Sequence, residues 1–188
     1  MRHVQTVTIL PMTSHEFTQL KKQIGSATDK FGMPIDPGIL ETVAALRAHG
    51  VHTTGSCEGH SDRITGGPYV MFEAPGVKDI HEARGAIKDR LSPEYKKLYT
   101  LATEANIRQT RKVLELLNGY YAQRAVPVNQ RLIVQYFGPT AGKLMCQGAY
   151  LAHILAPKES AELLEKNRAE MQLFTEYLII LKVKTPRT

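Results

Sequence analysis

The sequence predicts an α+β domain with a small sheet of three to four strands, helices mostly on one face, and long helices toward the C-terminus. Three observations carry that prediction. Short β-branched or apolar runs at 51–54, 69–73 and 131–137 are bounded by Gly and Pro clusters, as strands are. Between and after them lie stretches with apolar residues at helical spacing, the longest over 94–118 and 157–182. A length of 188 residues, 43% hydrophobic and 22% charged, suits one domain over 1–188 with a full-sized core. Within it, 34–140 is expected to form the α/β core and 141–188 a C-terminal helical hairpin.

In chain order, residues 4–10 alternate imperfectly and read as a first strand ended by Pro11. Residues 13–24 place Phe17, Leu20 and Ile24 on one helical face, with Ser14 as N-cap. Asp36 followed by Pro37 is a helix start, because a carboxylate can accept from orphan amides and Pro fits the first helical position. Ile39, Val43 and Leu46 mark the buried face, and Gly50 closes the helix near His49. A strand over 51–54 then delivers the loop Gly55, Ser56, Cys57, Glu58, Gly59, His60, and a second strand follows at 69–73. Ile80, Ala83, Ile87 and Leu91 predict a helix stopped by Ser92 and Pro93; the next helix, over 94–118, is closed by Gly119. The run 131–137 is the most apolar strand. Gly138, Pro139, Thr140, Ala141, Gly142 and Lys143 are read as its turn into a helix carrying Leu144, Cys146, Gly148, Leu151 and Leu155. Leu164, Met171, Phe174, Leu178 and Leu181 stripe the last helix.

Composition excludes several classes. Two cysteines far apart in sequence make no disulfide framework, so both are expected as free thiols in a cytoplasmic protein. No apolar run approaches the roughly 18 residues of a membrane span. A net charge of +6 favours anionic partners, nucleotides or RNA among them, although the basic residues are spread out and most serve solvation.

The chemistry concentrates at 55–63. Ser, Cys, Glu and His within six residues, bracketed by Gly55 and Gly59, can converge on a ligand that the backbone approaches closely. A plain reading is a tight loop with a buried Cys and solvated polar residues. A catalytic reading makes Cys57 a thiolate nucleophile, with His52 or His60 as base and Glu58 beside them. For metal the expectation is none, since a structural zinc site announces a second paired half-site. Were one bound, His52, Cys57 and His60 are the candidates, with Glu58, Asp62, His81 or His153 to complete the set. A binding reading uses Ser56, Gly59, His60 and Arg63 to meet phosphate or carboxylate oxygens, with Lys143 contributing from a turn at a helix N-terminus. That turn is no nucleotide P-loop, because the glycine spacing is one residue short and Leu144 stands where Ser or Thr is needed.

The run Ile35, Asp36, Pro37, Gly38, Ile39, then Gly50, Thr53, Thr54, Gly55, Ser56, Cys57, Glu58, Gly59, His60 resembles an uncharacterised family of small bacterial and phage proteins with a D-P-G-I … T-x-S-C-E-G-H signature. The likeness spans about a fifth of the chain, residues 34–73. More distantly, the helix, strand and Ser-Cys-x-Gly loop is similar to the tRNA wybutosine-synthesising protein 3 family, whose loop resembles Ser-Ser-Cys-Ser-Gly-Arg and for which methyl transfer from S-adenosylmethionine to tRNA is implied. Here Gly55, Glu58 and His60 replace the first Ser, the second Ser and the Arg. The first resemblance supports the location of the site; the second implies a nucleotide or RNA ligand.

The expected function is therefore binding of a small anionic, nucleotide-like ligand beside the loop, as a protein that sequesters a signalling nucleotide would do. Two alternatives stand beside it: an RNA- or nucleotide-modifying enzyme using Cys57, Glu58 and His60, and a homo-oligomeric interaction protein assembled through the long helices. The residues name no cofactor.

Overall fold

The computed structural model describes residues 11–28, 32–61 and 66–184. Its elements are β1 (Met12–Thr13), α1 (Ser14–Gly25), α2 (Pro37–Ala48), β2 (Thr53–Cys57), β3 (Tyr69–Phe72), α3 (Val77–Gly85), α4 (Pro93–Tyr121), a 3-10 turn (Val128–Gln130), β4 (Leu132–Tyr136), β5 (Gly142–Cys146), a second 3-10 segment (Gln147–His153), α5 (Pro157–Lys182) and β6 (Val183–Lys184). The strand expected at 4–10 falls outside the described residues. The fold is α+β: a four-stranded antiparallel sheet of order β2-β3-β5-β4 carries helices, and a two-residue parallel pair joins β1 to β6.

Paired residues on neighbouring strands share a face, so the register sorts the sheet into two sides. Val70 pairs with Leu144, Leu144 with Val134, and Leu132 with Cys146. With Phe72 these face a core built from Ile39, Val43 and Leu46 of α2, Val113 and Leu117 of α4, and Met171, Phe174 and Leu178 of α5. Gly142 pairs with Phe72, and a Cβ there would run into the Phe72 ring. The opposite side carries Tyr69, Met71, Lys143, Ile133 and Gln135, all partly exposed, and Met145, which is buried.

Caps and boundaries follow local chemistry. The α1 N-cap is Thr13, one residue before the expected Ser14, because Thr13 and Glu16 close a capping box. Pro37 opens α2, and Gly50, at φ 73°, follows its end. Asn106, 1% exposed, accepts from Ala74 N–H at 2.7 Å and donates to Pro139 O at 2.8 Å, tying the end of β3 to the β4–β5 turn.

Four expectations are corrected. Residues 142–146 form β5 and not the start of a helix: β4, the Gly138 turn and β5 make a hairpin, since pairing with β3 and β4 satisfies their backbone on both sides. The segment after 141 is consequently a strand, a 3-10 segment and one long helix, with no helical hairpin. α3 stops at Gly85 instead of continuing to Leu91, and α4 runs through Gly119 to Tyr121, where Tyr177 of α5 packs against the bare glycine.

Candidate functional site

The site begins with a β-bulge. Thr53 pairs with Phe72 and Gly55 with Met71, leaving Thr54 as the extra residue in β2. Without it, alternation would send Cys57 to the core side with Thr53. The extra residue reverses the alternation, so Cys57 pairs with Tyr69 on the side away from the core. Cys57 is still 4% exposed, because the chain folds back over it.

Gly59 makes that return. At φ 87° it takes a conformation open to glycine, and its N–H points back to Cys57 Sγ at 3.4 Å. Next in the chain, the His60 imidazole comes to Asp36: Nε2 and Oδ2 are 3.7 Å apart, with about a third of each side chain exposed. One ligating atom from each of Asp36, Cys57 and His60 lies within 4.8 Å of the other two.

Two carboxylates cross between the loop and the start of α2. The Asp36 side chain makes no hydrogen bond to its own helix; its Oδ2 accepts from Glu58 N–H at 3.1 Å. Glu58 Oε2 in turn accepts from Gly38 N–H at 2.8 Å and so caps α2 from outside. A Cβ at Gly38 would stand 2.7 Å from that oxygen, so the Glu58 carboxylate would have to shift to admit one. From α5, Arg168 donates to Glu58 O at 3.2 Å and Gly59 O at 2.7 Å, pinning the loop's carbonyls while also meeting Glu165.

Lys143 extends the group. Its ammonium lies 4.2 Å from the centre of the Tyr69 ring, a cation–π contact. Burial lowers its pKa, and a negative charge on Cys57 would work in the opposite direction. Among the described residues Lys143 has no carboxylate partner.

The residues expected at the site are thus divided. Cys57 and His60 come together, joined by Asp36, which the sequence offered only as a helix cap. Glu58 turns to the other side of the loop and lines an open cleft of about 420 Å³ with Gly38, Pro68, Glu165, Arg168 and Gln172. Ser56 pairs with Val70 and so points to the face opposite Cys57. The Gly59 amide is taken by Cys57. Lys143 reaches the group from the middle of a strand, so the anion-binding turn at a helix N-terminus is corrected to a strand lysine on an aromatic ring. Arg63 and Asp62 lie outside the described residues. His52 is exposed and its Nδ1 sits 3.1 Å from Glu73 O; His81 pairs with Glu73 at 3.8 Å, and His153 is exposed in the second 3-10 segment. None of these three belongs to the cluster around Cys57. Cys146 is a core thiol in β5, 0% exposed, with its pKa pushed up to about 12 by burial and then by the Glu170 charge.

Sequence reasoning overlooked Asp36 as a site residue and Arg168 altogether. The Asp-Pro-Gly-Ile start of α2 was the available signal for the first; Arg168, 110 positions from Glu58, offered none. No helix among the described residues is long and apolar enough to cross a membrane. Comparison with family models, with curated proteins and with solved structures returns no match to this chain.

Proposed function

We propose that the protein binds a small anionic, nucleotide-like ligand on the side of the sheet away from the core, next to the Cys57–His60 loop. The observation that carries this reading is Lys143: a partly buried ammonium with no carboxylate partner among the described residues, held flat on Tyr69. Desolvating a lysine costs free energy that an incoming anion offsets. A neighbouring aromatic face and an imidazole offer surfaces for a base and for further oxygens. The net charge of +6 adds long-range attraction. A protein of this kind could hold a signalling nucleotide out of circulation without altering it.

The test is a thermal-shift panel of nucleoside mono-, di- and triphosphates against wild type and Lys143→Met, which keeps the lysine's apolar stem. The reading expects at least one nucleotide to raise the wild-type melting temperature and to lose most of that effect in the variant. No shift across the panel would defeat it. RNA is the competing ligand, and it separates by salt: affinity for a polyanion falls steeply with ionic strength as counterions are released.

A second reading, self-association through α5, is favoured by a groove of about 550 Å³ lined by Leu173, Tyr177 and Ile180, with Ile180 77% exposed. Sedimentation of wild type against Ile180→Glu decides it: a monomer in both cases counts against assembly.

A further inference from the structure

The geometry points to a transition-metal site, best suited to Zn²⁺, formed by Asp36, Cys57 and His60. Three kinds of ligand converge there, one ligating atom from each lying within 4.8 Å of the others. A thiolate and an imidazole select zinc or a neighbouring borderline metal over the hard cations calcium and magnesium, which take oxygen ligands. The formal charges also close: thiolate, carboxylate and neutral imidazole balance a divalent ion.

The spacing between His60 and Asp36 supports a third body between them. At 3.7 Å, Nε2 and Oδ2 are too far apart for a hydrogen bond to join them. Zinc bonds of about 2.0–2.1 Å in a tetrahedron give nitrogen–oxygen edges of about 3.4 Å. The observed separation is therefore close to a coordination edge. No pair in the cluster is separated by more than 4.8 Å, so side-chain movements of at most about 1 Å close the remaining edges.

The surroundings are those a metal site needs. Ligand atoms are held in place by groups behind them: Asp36 Oδ2 accepts from Glu58 N–H at 3.1 Å, and Cys57 Sγ accepts from Gly59 N–H at 3.4 Å. Amide donation to a thiolate stabilises the anionic form that binds metal. Arg168 holds the Glu58 and Gly59 carbonyls, the first of them in the same peptide unit as the Gly59 N–H that meets Cys57. The bulge in β2 turns Cys57 away from the core toward the carboxylate. Three protein ligands leave a fourth position for water or an anion. A nucleophilic Cys–His pair is the rival use of these groups, and the test separates the two.

Cobalt(II) replaces zinc as a visible probe. Metal-free full-length protein is titrated with Co²⁺ and read by thiolate-to-cobalt charge transfer and tetrahedral d–d absorption. One equivalent should bind with both signals, and Zn²⁺ should displace it. Cys57→Ser should abolish the charge-transfer band, and Asp36→Asn and His60→Gln should each weaken affinity at least about tenfold. His52→Gln and Cys146→Ser should leave the spectrum unchanged. Because a ligand variant can misfold, wild type alone supplies a second readout: one equivalent of Zn²⁺ should slow iodoacetamide alkylation of Cys57 at least tenfold. An absent charge-transfer band, a band that survives Cys57→Ser, or a Cys57 alkylation rate indifferent to Zn²⁺ would each overturn the assignment. No nucleotide enters these measurements, so metal binding and anion binding succeed or fail separately.

Discussion

Substituting Gly59 by Ala tests the loop geometry from which the site is built. Two costs combine. The φ of 87° is unfavourable for any residue with a Cβ, by about 1 kcal/mol. The new Cβ would also stand 2.5 Å from Gly66 O and 2.8 Å from Leu164 Cδ1, and the first of these is backbone that cannot swing aside. Overpacking of this kind costs about 1–3 kcal/mol. The total is about 2–4 kcal/mol, or about 5–15 °C in melting temperature for a chain of this size. Gly76 is the internal control: at φ 79° it pays the same backbone term, but nothing lies within 4 Å of its added Cβ. Gly76→Ala should therefore lose only about 1 kcal/mol. Urea denaturation of both variants reads the difference. Equal losses, or a Gly59→Ala as stable as wild type, would refute the tight packing of the loop against α5 and the 66–67 backbone.

Three further outcomes are expected. Thr175 gives its hydroxyl proton to Met171 O at 2.8 Å, so Thr42 must donate across the 2.7 Å contact between the two hydroxyls; Thr175→Val strands a buried donor and should cost about 1–3 kcal/mol by urea denaturation, with no loss contradicting the pair. His49, buried at the end of α2 with Nε2 2.8 Å from Leu178 O, has a pKa lowered by desolvation foremost. The unfolded chain therefore takes up this proton at about pH 6.5 while the folded chain resists it, so stability is full above that pH and falls as pH drops below it. His49→Gln should flatten the decline between about pH 7.5 and 5.5, and an unchanged slope would contradict the assignment. Cys146, with its thiol raised to about 12, should escape alkylation in the native protein at about pH 8 and react after denaturation, as mass spectrometry of the labelled peptide would show; native labelling at the denatured rate would contradict its burial.

Local signals were strong where helices are amphipathic and capped. Asp36–Pro37 and Gly50 bracket α2 as expected, and the stripe Leu164, Met171, Phe174, Leu178 is buried along α5, although Leu181 is exposed. Strands were harder because their partners are remote. Gly55 and Ser56 have poor strand propensity and read as loop, yet pairing with β3 makes them strand. Leu144, Met145 and Cys146 are all buried, so no alternation marks β5, and Leu144, Leu151 and Leu155 happen to fit a helical period. The candidate site was read from its reactive side chains, but which of them come together depends on tertiary contacts. A single extra residue in β2 decides that Cys57 leaves the core, and contacts across about twenty positions exchange the roles of Asp36 and Glu58.

The most direct measurement is an amide-resolved nuclear magnetic resonance titration of the full chain with nucleoside monophosphates and inorganic phosphate. The largest shifts should fall together on Gly59, His60, Tyr69 and Lys143, since Cys57 at the head of the loop pairs with Tyr69 and Lys143 lies over that ring. Shifts confined to the exposed ends of α4 and α5, or none at millimolar ligand, would contradict an anion site beside the loop.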